Sequence, residues 1–247
     1  MDVTLKFTAY AEQCLTDETL RPIPASRTLP EWYREAKVLD KGVTKDNLVD
    51  YKRKGLNTPV TFKSCVPFAD AMTSGYLFTL PCDIEVISTD NGCTIIVLED
   101  SFKQFVDIRP PMSGFHHPEG YYESHFHWHT IWGVEAPYGW SVLFTQPLNR
   151  YDLPFLSTSG IIDSDMSHVS GRIPFFVKKG YSGVVPKGTP FLQLIPIQRL
   201  NWKSEIDLLP RDQQLIRTAA SHDEYRPKEF PFYGAYKKLK WARKSYK

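Results

Sequence analysis

Between Tyr76 and Glu99 the chain reads YLFTLPCDIEVISTDNGCTIIVLE, two β-branched, apolar-rich runs that meet at Asp90-Asn91-Gly92. A tight antiparallel reversal needs positive φ in its turn, and Asn-Gly supplies it at the least steric cost. A hairpin of YLFTLPCDIEVI with CTIIVLE is therefore predicted here. Similar runs follow: ESHFHWHTIWGVEA, GWSVLFTQPL, SGIID, RIPFFVKK and FLQLIPIQRL. Their connections carry Pro or Gly almost every time, at Pro137, Gly139, Pro147, Pro154, Gly171, Gly180, Pro186 and Gly188. Short strands with turn signals at near-regular spacing, and no βαβ rhythm, predict a mainly β sandwich or barrel.

The flanks read differently. MDVTLKFTAY sets Val3, Leu5 and Phe7 against Asp2, Thr4 and Lys6, the period of a half-buried strand. RPIPASRTLPEWYREAK is a proline-punctuated arm whose Pro30 opens a short helix, with Glu31 in the first turn where the helix dipole favours an acid. Residues 38–57 are polar with few apolar anchors and read as a long surface loop. After Trp202 the composition shifts, and a C-terminal helix is predicted near Arg211–Ala220. The chain thus divides into an N-terminal strand, arm and loop (1–60), a β domain (61–202), and a C-terminal helix with a basic tail (203–247).

A length of 247 residues suffices to bury a sizeable core, and a formal charge of +2 says little about partners. The charge is uneven, however: the end of the chain, YKKLKWARKSYK, is rich in Lys and Arg and holds no acid. It reads as a solvated tail or as a contact for nucleic acid or an acidic partner. Four cysteines (Cys14, Cys65, Cys82, Cys93) with no CxxC spacing speak against a zinc ribbon and against a disulfide scaffold. Cys82 and Cys93 flank the hairpin and can meet, but reduced core thiols are the reading adopted. The first residues lack the basic start and apolar run of a signal peptide, and no apolar stretch approaches the ~20 residues of a membrane span. A cytoplasmic protein without a membrane association is expected. No P-loop, GxGxxG or GxSxG occurs, so no cofactor is called for.

Two clusters carry candidate chemistry. In HFHWH, strand alternation puts His125, His127 and His129 on one face, while Phe126, Trp128 and Trp132 line the other. Imidazoles ~7 Å apart can offer two ligands to a divalent metal, or can simply be the polar side of a half-buried strand. In GIIDSDMSHVSGRI, Asp163 and Asp165 share a face on an extended chain and can perturb one another or share a cation. As a turn they would instead bond nearby backbone.

The order SGYLFTLPCDIEV, APYGWSVLFTQPLN, SGIIDSD and VPKGTPFLQLI, over about residues 60–200, resembles the motif series of the dUTPase and dCTP deaminase superfamily. The whole chain also resembles a family of phage and bacterial proteins with no assigned activity, through PFADAMTSGY, the Trp132-to-Gly139 turn and the GIIDSD-to-QLIPI block. The resemblance implies a β-clip or jelly-roll fold, a homotrimer, phage or host protein partners, and a place in the host cytoplasm or a virion. It would put Asp163 at the water-activating aspartate, Asn149 beside the phosphate-holding segment and Gln193 at a buried glutamine of the closing strand. Asp163, Asp165, Asn149, Arg150 and Gln193 are then the pocket candidates. The departures are as telling. Leu77 stands where the superfamily's metal-facing carboxylate would be, Met166 replaces the stacking tyrosine, and Ser167–Ser170 displaces the Arg-Gly that follows. TQPLNR lacks the phosphate-cradling serines, and EFPFYGAYKK stands where a glycine-rich arm would close. A site without those groups lacks the charge neutralisation that pyrophosphate departure requires. The expectation is a non-catalytic accessory or structural protein on this scaffold. The alternatives are a nucleotide- or small-ligand-binding protein or divergent hydrolase using Asp163, and a histidine-metal enzyme of cupin type.

Overall fold

The computed structural model describes residues 3–40, 42–44, 61–111, 114, 116–166, 171–225, 237 and 241–247, with backbone alone at 221–225. The fold is mainly β, with every strand pair antiparallel. In chain order the strands are β1 (Lys6–Ala9), β2 (Ile23–Pro24), β3 (Tyr76–Thr79), β4 (Ile84–Thr89), β5 (Gly92–Val97), β6 (Val106–Arg109), β7 (Tyr121–His129), β8 (Trp132–Glu135), β9 (Trp140–Thr145), β10 (Phe155–Ser157), β11 (Gly160–Ile162), β12 (Arg172–Lys178), β13 (Gly183–Val185) and β14 (Pro190–Gln198). They form four sheets, ordered β11-β9-β14-β3-β2, β10-β12-β7-β6, β13-β4-β5 and β1-β8. None of these sheets closes into a barrel among the described residues.

All the strands belong to one compact unit, residues 1–28, 72–199 and 246–247. Its core is aromatic. Alternation along β7 and β12 sends Phe126, Trp128, Phe175 and Val177 inward, and all four are fully buried. The Trp128 and Phe175 rings stack at 3.6 Å between centroids and 5° between planes. Phe105, Phe155 and Phe191 pack around Trp128 at 5.1–5.6 Å. The indole N–H is satisfied by Ser157 Oγ at 2.9 Å, and that hydroxyl donates onward to the Phe191 carbonyl at 2.7 Å. Tyr246 and Lys247 return to this unit, where the Tyr76 hydroxyl donates to the Lys247 carbonyl at 3.0 Å.

The second unit comprises residues 29–71 and 200–245. Among its described residues Trp32, Tyr33, Phe62 and Phe68 form a small aromatic cluster, with Tyr33 buried, Trp32 and Phe62 exposed, and Phe62 and Phe68 stacked at 5.2 Å. The Lys63 ammonium lies 4.3 Å from the Tyr33 ring centroid, a cation–π contact. Lys244 pairs with Asp70. The C-terminal helix is longer than the sequence suggests, Arg211–Tyr225, and its Leu215 and Ile216 remain exposed.

Two single strands expected from sequence are each broken in two. YLFTLPCDIEVI divides at Leu80–Asp83 into β3 and β4, which belong to different sheets. Pro81 has no N–H to give a ladder, so the chain can change sheets there. ESHFHWHTIWGVEA divides at Thr130–Ile131, and β8 turns away to pair with β1. The β4–β5 hairpin forms with Thr89 opposite Gly92, so its two-residue loop is Asp90-Asn91. Neither Asn91 nor Gly92 has the positive φ expected of it. All four cysteines are free thiols, and burial of Cys93 pushes its thiol up to about 11. The loop read at 38–57 falls largely outside the described residues, as do Ser167–Ser170 and much of the basic tail. No helix among the described residues is long and apolar enough to cross a membrane.

Candidate functional site

Three strand ends converge on the aspartate pair. β14 pairs with β9, and β9 with β11, so the ends of β14 and β11 and the start of β9 lie side by side. Past β11 the chain turns, with the Met166 N–H donating to the Asp163 carbonyl at 3.0 Å and the buried Ser164 carbonyl accepting from the Ala136 N–H at 3.3 Å. Before β9 a second turn closes between Trp140 N–H and the Pro137 carbonyl at 3.0 Å, with Gly139 at φ 82°. That left-handed backbone is what glycine allows at the third turn position. The Gly139 N–H donates to Asp165 Oδ2 at 2.9 Å.

Arg199 completes the cluster. It follows β14, its N–H donates to the Gly139 carbonyl at 2.8 Å, and its guanidinium meets both carboxylates. Nη1 lies 2.7 Å from Asp165 Oδ1 and 3.2 Å from Asp163 Oδ1, while Nη2 bonds Asp165 Oδ2. The Asp165 side chain is 2 % exposed, so its charge is committed to a bidentate, charge-assisted pair. Asp163 is 56 % exposed and accepts from Ser141 Oγ at 2.6 Å. The pair with Arg199 holds the Asp165 carboxyl at about 2. The Ser141 hydroxyl, with Arg199 behind it, lowers Asp163. A carboxylate held ionised in this way is a weak general base, because efficient proton abstraction wants a pKa near the working pH. The sequence reading paired the two aspartates with each other and missed Arg199; the signal was a lone basic residue directly after QLIPIQ.

The other pocket candidates do not join this cluster. Gln193 is fully buried and works as a backbone clamp: its Oε1 accepts from the Leu148 N–H at 2.8 Å and its Nε2 donates to the Ser74 carbonyl at 2.7 Å. Leu148 lies in a turn closed by Arg150 N–H to the Pro147 carbonyl at 3.2 Å, with Asn149 at φ 60°. Asparagine tolerates that conformation better than most residues. Arg150 spends its guanidinium on Asp152, bidentate at 2.8–3.1 Å. Leu77 is buried in the β14–β3–β2 ladder between Gln193 and Ile23, and Met166 stands 77 % exposed with no aromatic platform.

The histidine strand is as alternation predicts, with Phe126 and Trp128 in the core and the imidazoles on the far face. That face is not open, however: His125 is only 4 % exposed. Among the described residues no group of three His, Cys, Asp or Glu side chains is placed to hold a metal ion. The acid nearest the row, Asp107 on β6, is paired to Arg109 at 2.8 Å, and His129 Nε2 lies 3.8 Å from the same oxygen. Burial lowers all three imidazole pKa values from the usual 6.5, helped by Arg109 at His125, by His125 and Arg109 at His127, and by Arg172 at His129. Asp107 opposes this only in part at His127 and His129. The folded chain therefore resists protons that the unfolded chain accepts near 6.5, and stability falls as pH drops below that value. The melting temperature in phosphate-free buffer is expected to decline steadily from about pH 7 to about pH 5, and His127→Gln should flatten that slope.

No protein-family model matches this chain, and no curated protein matches it in sequence.

Proposed function

We propose that the protein is a non-catalytic accessory or structural factor of phage type, built on a dUTPase-like β-clip scaffold and acting through its surfaces. The observation that carries this reading is the Arg199 clamp. The acid pair that a nucleotide hydrolase would use on water is bound instead to a guanidinium, a hydroxyl and a backbone N–H. Three further features support it. Leu77 is sequestered in a ladder, Met166 offers no stacking ring, and Arg150 is tied to Asp152 and so withheld from phosphate. The homotrimer belongs to the same reading and rests on the motif order alone. A second reading, a divergent nucleotide hydrolase, is favoured by one observation: Asp163 keeps 56 % of its side chain exposed beside the turn.

Deoxynucleotides separate the two. A ligand at about a hundredfold its Kd adds about 2.7 kcal/mol to the folded state, several degrees in Tm for a domain of this size. With dUTP, dCTP or dUMP and Mg2+, no pyrophosphate release is expected, and no shift beyond the one inorganic phosphate gives at the same concentration. Pyrophosphate release that disappears in Asp163→Asn would establish the hydrolase instead.

A further inference from the structure

Among the described residues, four side-chain nitrogens are shielded from solvent yet have no hydrogen-bond partner: Arg109 Nε, His127 Nδ1, His129 Nε2 and Trp241 Nε1. Each such atom costs on the order of 1–3 kcal/mol unless something meets it, and unmet polar groups in native proteins point to a bound water, ion or ligand. Three of the four lie on one face of one sheet. The register puts Asp107 opposite His127 and Arg109 opposite His125, while β12 sets Arg172 opposite His129. Arg109 Nη2 approaches Asp107 Oδ2 to 2.8 Å, and His129 Nε2 stops 3.8 Å from that same oxygen, beyond hydrogen-bond range. The Arg109 guanidinium and the His129 ring thus flank one carboxylate oxygen, with His127 on the row between their strand positions.

The charges decide what such a face attracts. Arg109 and Arg172 are matched in number by Asp107 and Glu123, which alternation along β7 puts on the same face, with Glu123 and Arg172 both exposed. Pro174, Phe176 and Leu156, the remaining residues opposite this row on β12 and β10, carry no charge, and Lys178 pairs with Tyr121 at the far end. The formal charge is balanced while the imidazoles are neutral and turns positive as they take up protons. In that state the face repels a metal cation and favours an anion. An arginine Nε–H can only donate, and each imidazole nitrogen can donate in the right tautomer or when protonated. We propose that the histidine-bearing face of β6, β7 and β12 holds a shielded binding site for a small oxyanion, a phosphate or carboxylate group, held by Arg109, His127 and His129 with Arg172 at its rim. Because an anion favours the protonated rings, binding takes up protons and strengthens as pH falls.

Calorimetric titration of the full chain with inorganic phosphate, and separately with acetate, tests this. Saturable binding near one equivalent is expected. It should be about tenfold tighter near pH 6 than near pH 8, the equivalent of one unit of pKa coupling. Proton uptake should be visible as a buffer-dependent heat. The anion that binds more tightly identifies the phosphate or carboxylate source. Arg109→Gln is expected to weaken binding about tenfold or more, and Lys6→Gln to leave it unchanged. In the wild-type protein, which needs no variant to fold, the His127 and His129 resonances should move on adding phosphate. The proposal is overturned by absence of saturable binding up to about 10 mM of either anion, by unchanged affinity in a folded Arg109→Gln, or by one equivalent of zinc binding where phosphate does not.

Discussion

Gly75→Ala is expected to be the most damaging alanine substitution among the described glycines. Gly75 has φ +71°, and a Cβ built on it would sit 1.9 Å from the Leu194 carbonyl oxygen and 2.9 Å from the Leu194 carbonyl carbon. Those are backbone atoms in the middle of β14, which cannot swing aside as a flexible side chain can. Overpacking of this kind costs roughly 1–3 kcal/mol, and a left-handed backbone adds about 1–2 kcal/mol for a residue with a Cβ. The same spot is held from both sides. The Gly75 carbonyl accepts from the Ala25 N–H at 3.0 Å, and the preceding Ser74 carbonyl takes the Gln193 amide. Displacing the turn therefore also strains β2 and the only buried glutamine clamp described. A loss of about 2–5 kcal/mol against a typical total of 5–15 kcal/mol leaves a chain near its unfolding threshold. Urea denaturation followed by circular dichroism should show a strongly lowered midpoint or no soluble protein. Gly92→Ala is the control: nothing lies within 4 Å of its Cβ and its φ is not positive, so its midpoint should stay or rise slightly.

The second large effect is expected at Trp128→Ala. The indole is fully buried, stacked on Phe175 and surrounded by Phe105, Phe155 and Phe191. Removing such a ring costs about 3–5 kcal/mol through lost transfer energy and the cavity left behind. Because Phe191 belongs to β14 and Phe175 to β12, the cavity would open where two sheets meet. Trp128→Phe keeps an aromatic ring for Phe175 but gives up the hydrogen bond to Ser157, worth about 1 kcal/mol. The two variants should rank in that order by denaturation midpoint, read by circular dichroism because the indole itself is a fluorescent probe. If Trp128→Ala kept its full midpoint, the stack would be incidental to stability.

Much of this was legible in the residues. Apolar, β-branched runs between Pro and Gly turn signals located β7, β9, β12 and β14, and period-two alternation assigned Phe126 and Trp128 to the core and the histidines to the opposite face. Asp90-Asn91-Gly92 marked the β4–β5 hairpin, although the turn closes one residue earlier than Asn-Gly implies and without left-handed backbone. The break at Leu80–Asp83 had one local signal, Pro81, and the break at Thr130–Ile131 had none. Alternation continues across them, and only pairing partners in other sheets decide where one strand ends and another starts.

The site divides in the same way. That GIIDSD delivers two carboxylates to a turn, and that HFHWH rows up three imidazoles, follows from local geometry that any chain with those residues would share. That Asp165 answers to Arg199, 34 residues on, follows from β14 pairing with β9 beside β11. Likewise Arg109 and Arg172 reach the histidine row through neighbouring strands that the linear sequence keeps apart. Charge acts through space and hydrogen bonds act over about 3 Å, so the order of residues could set which groups each strand carries, while only the packing of strands could set which charge each one meets.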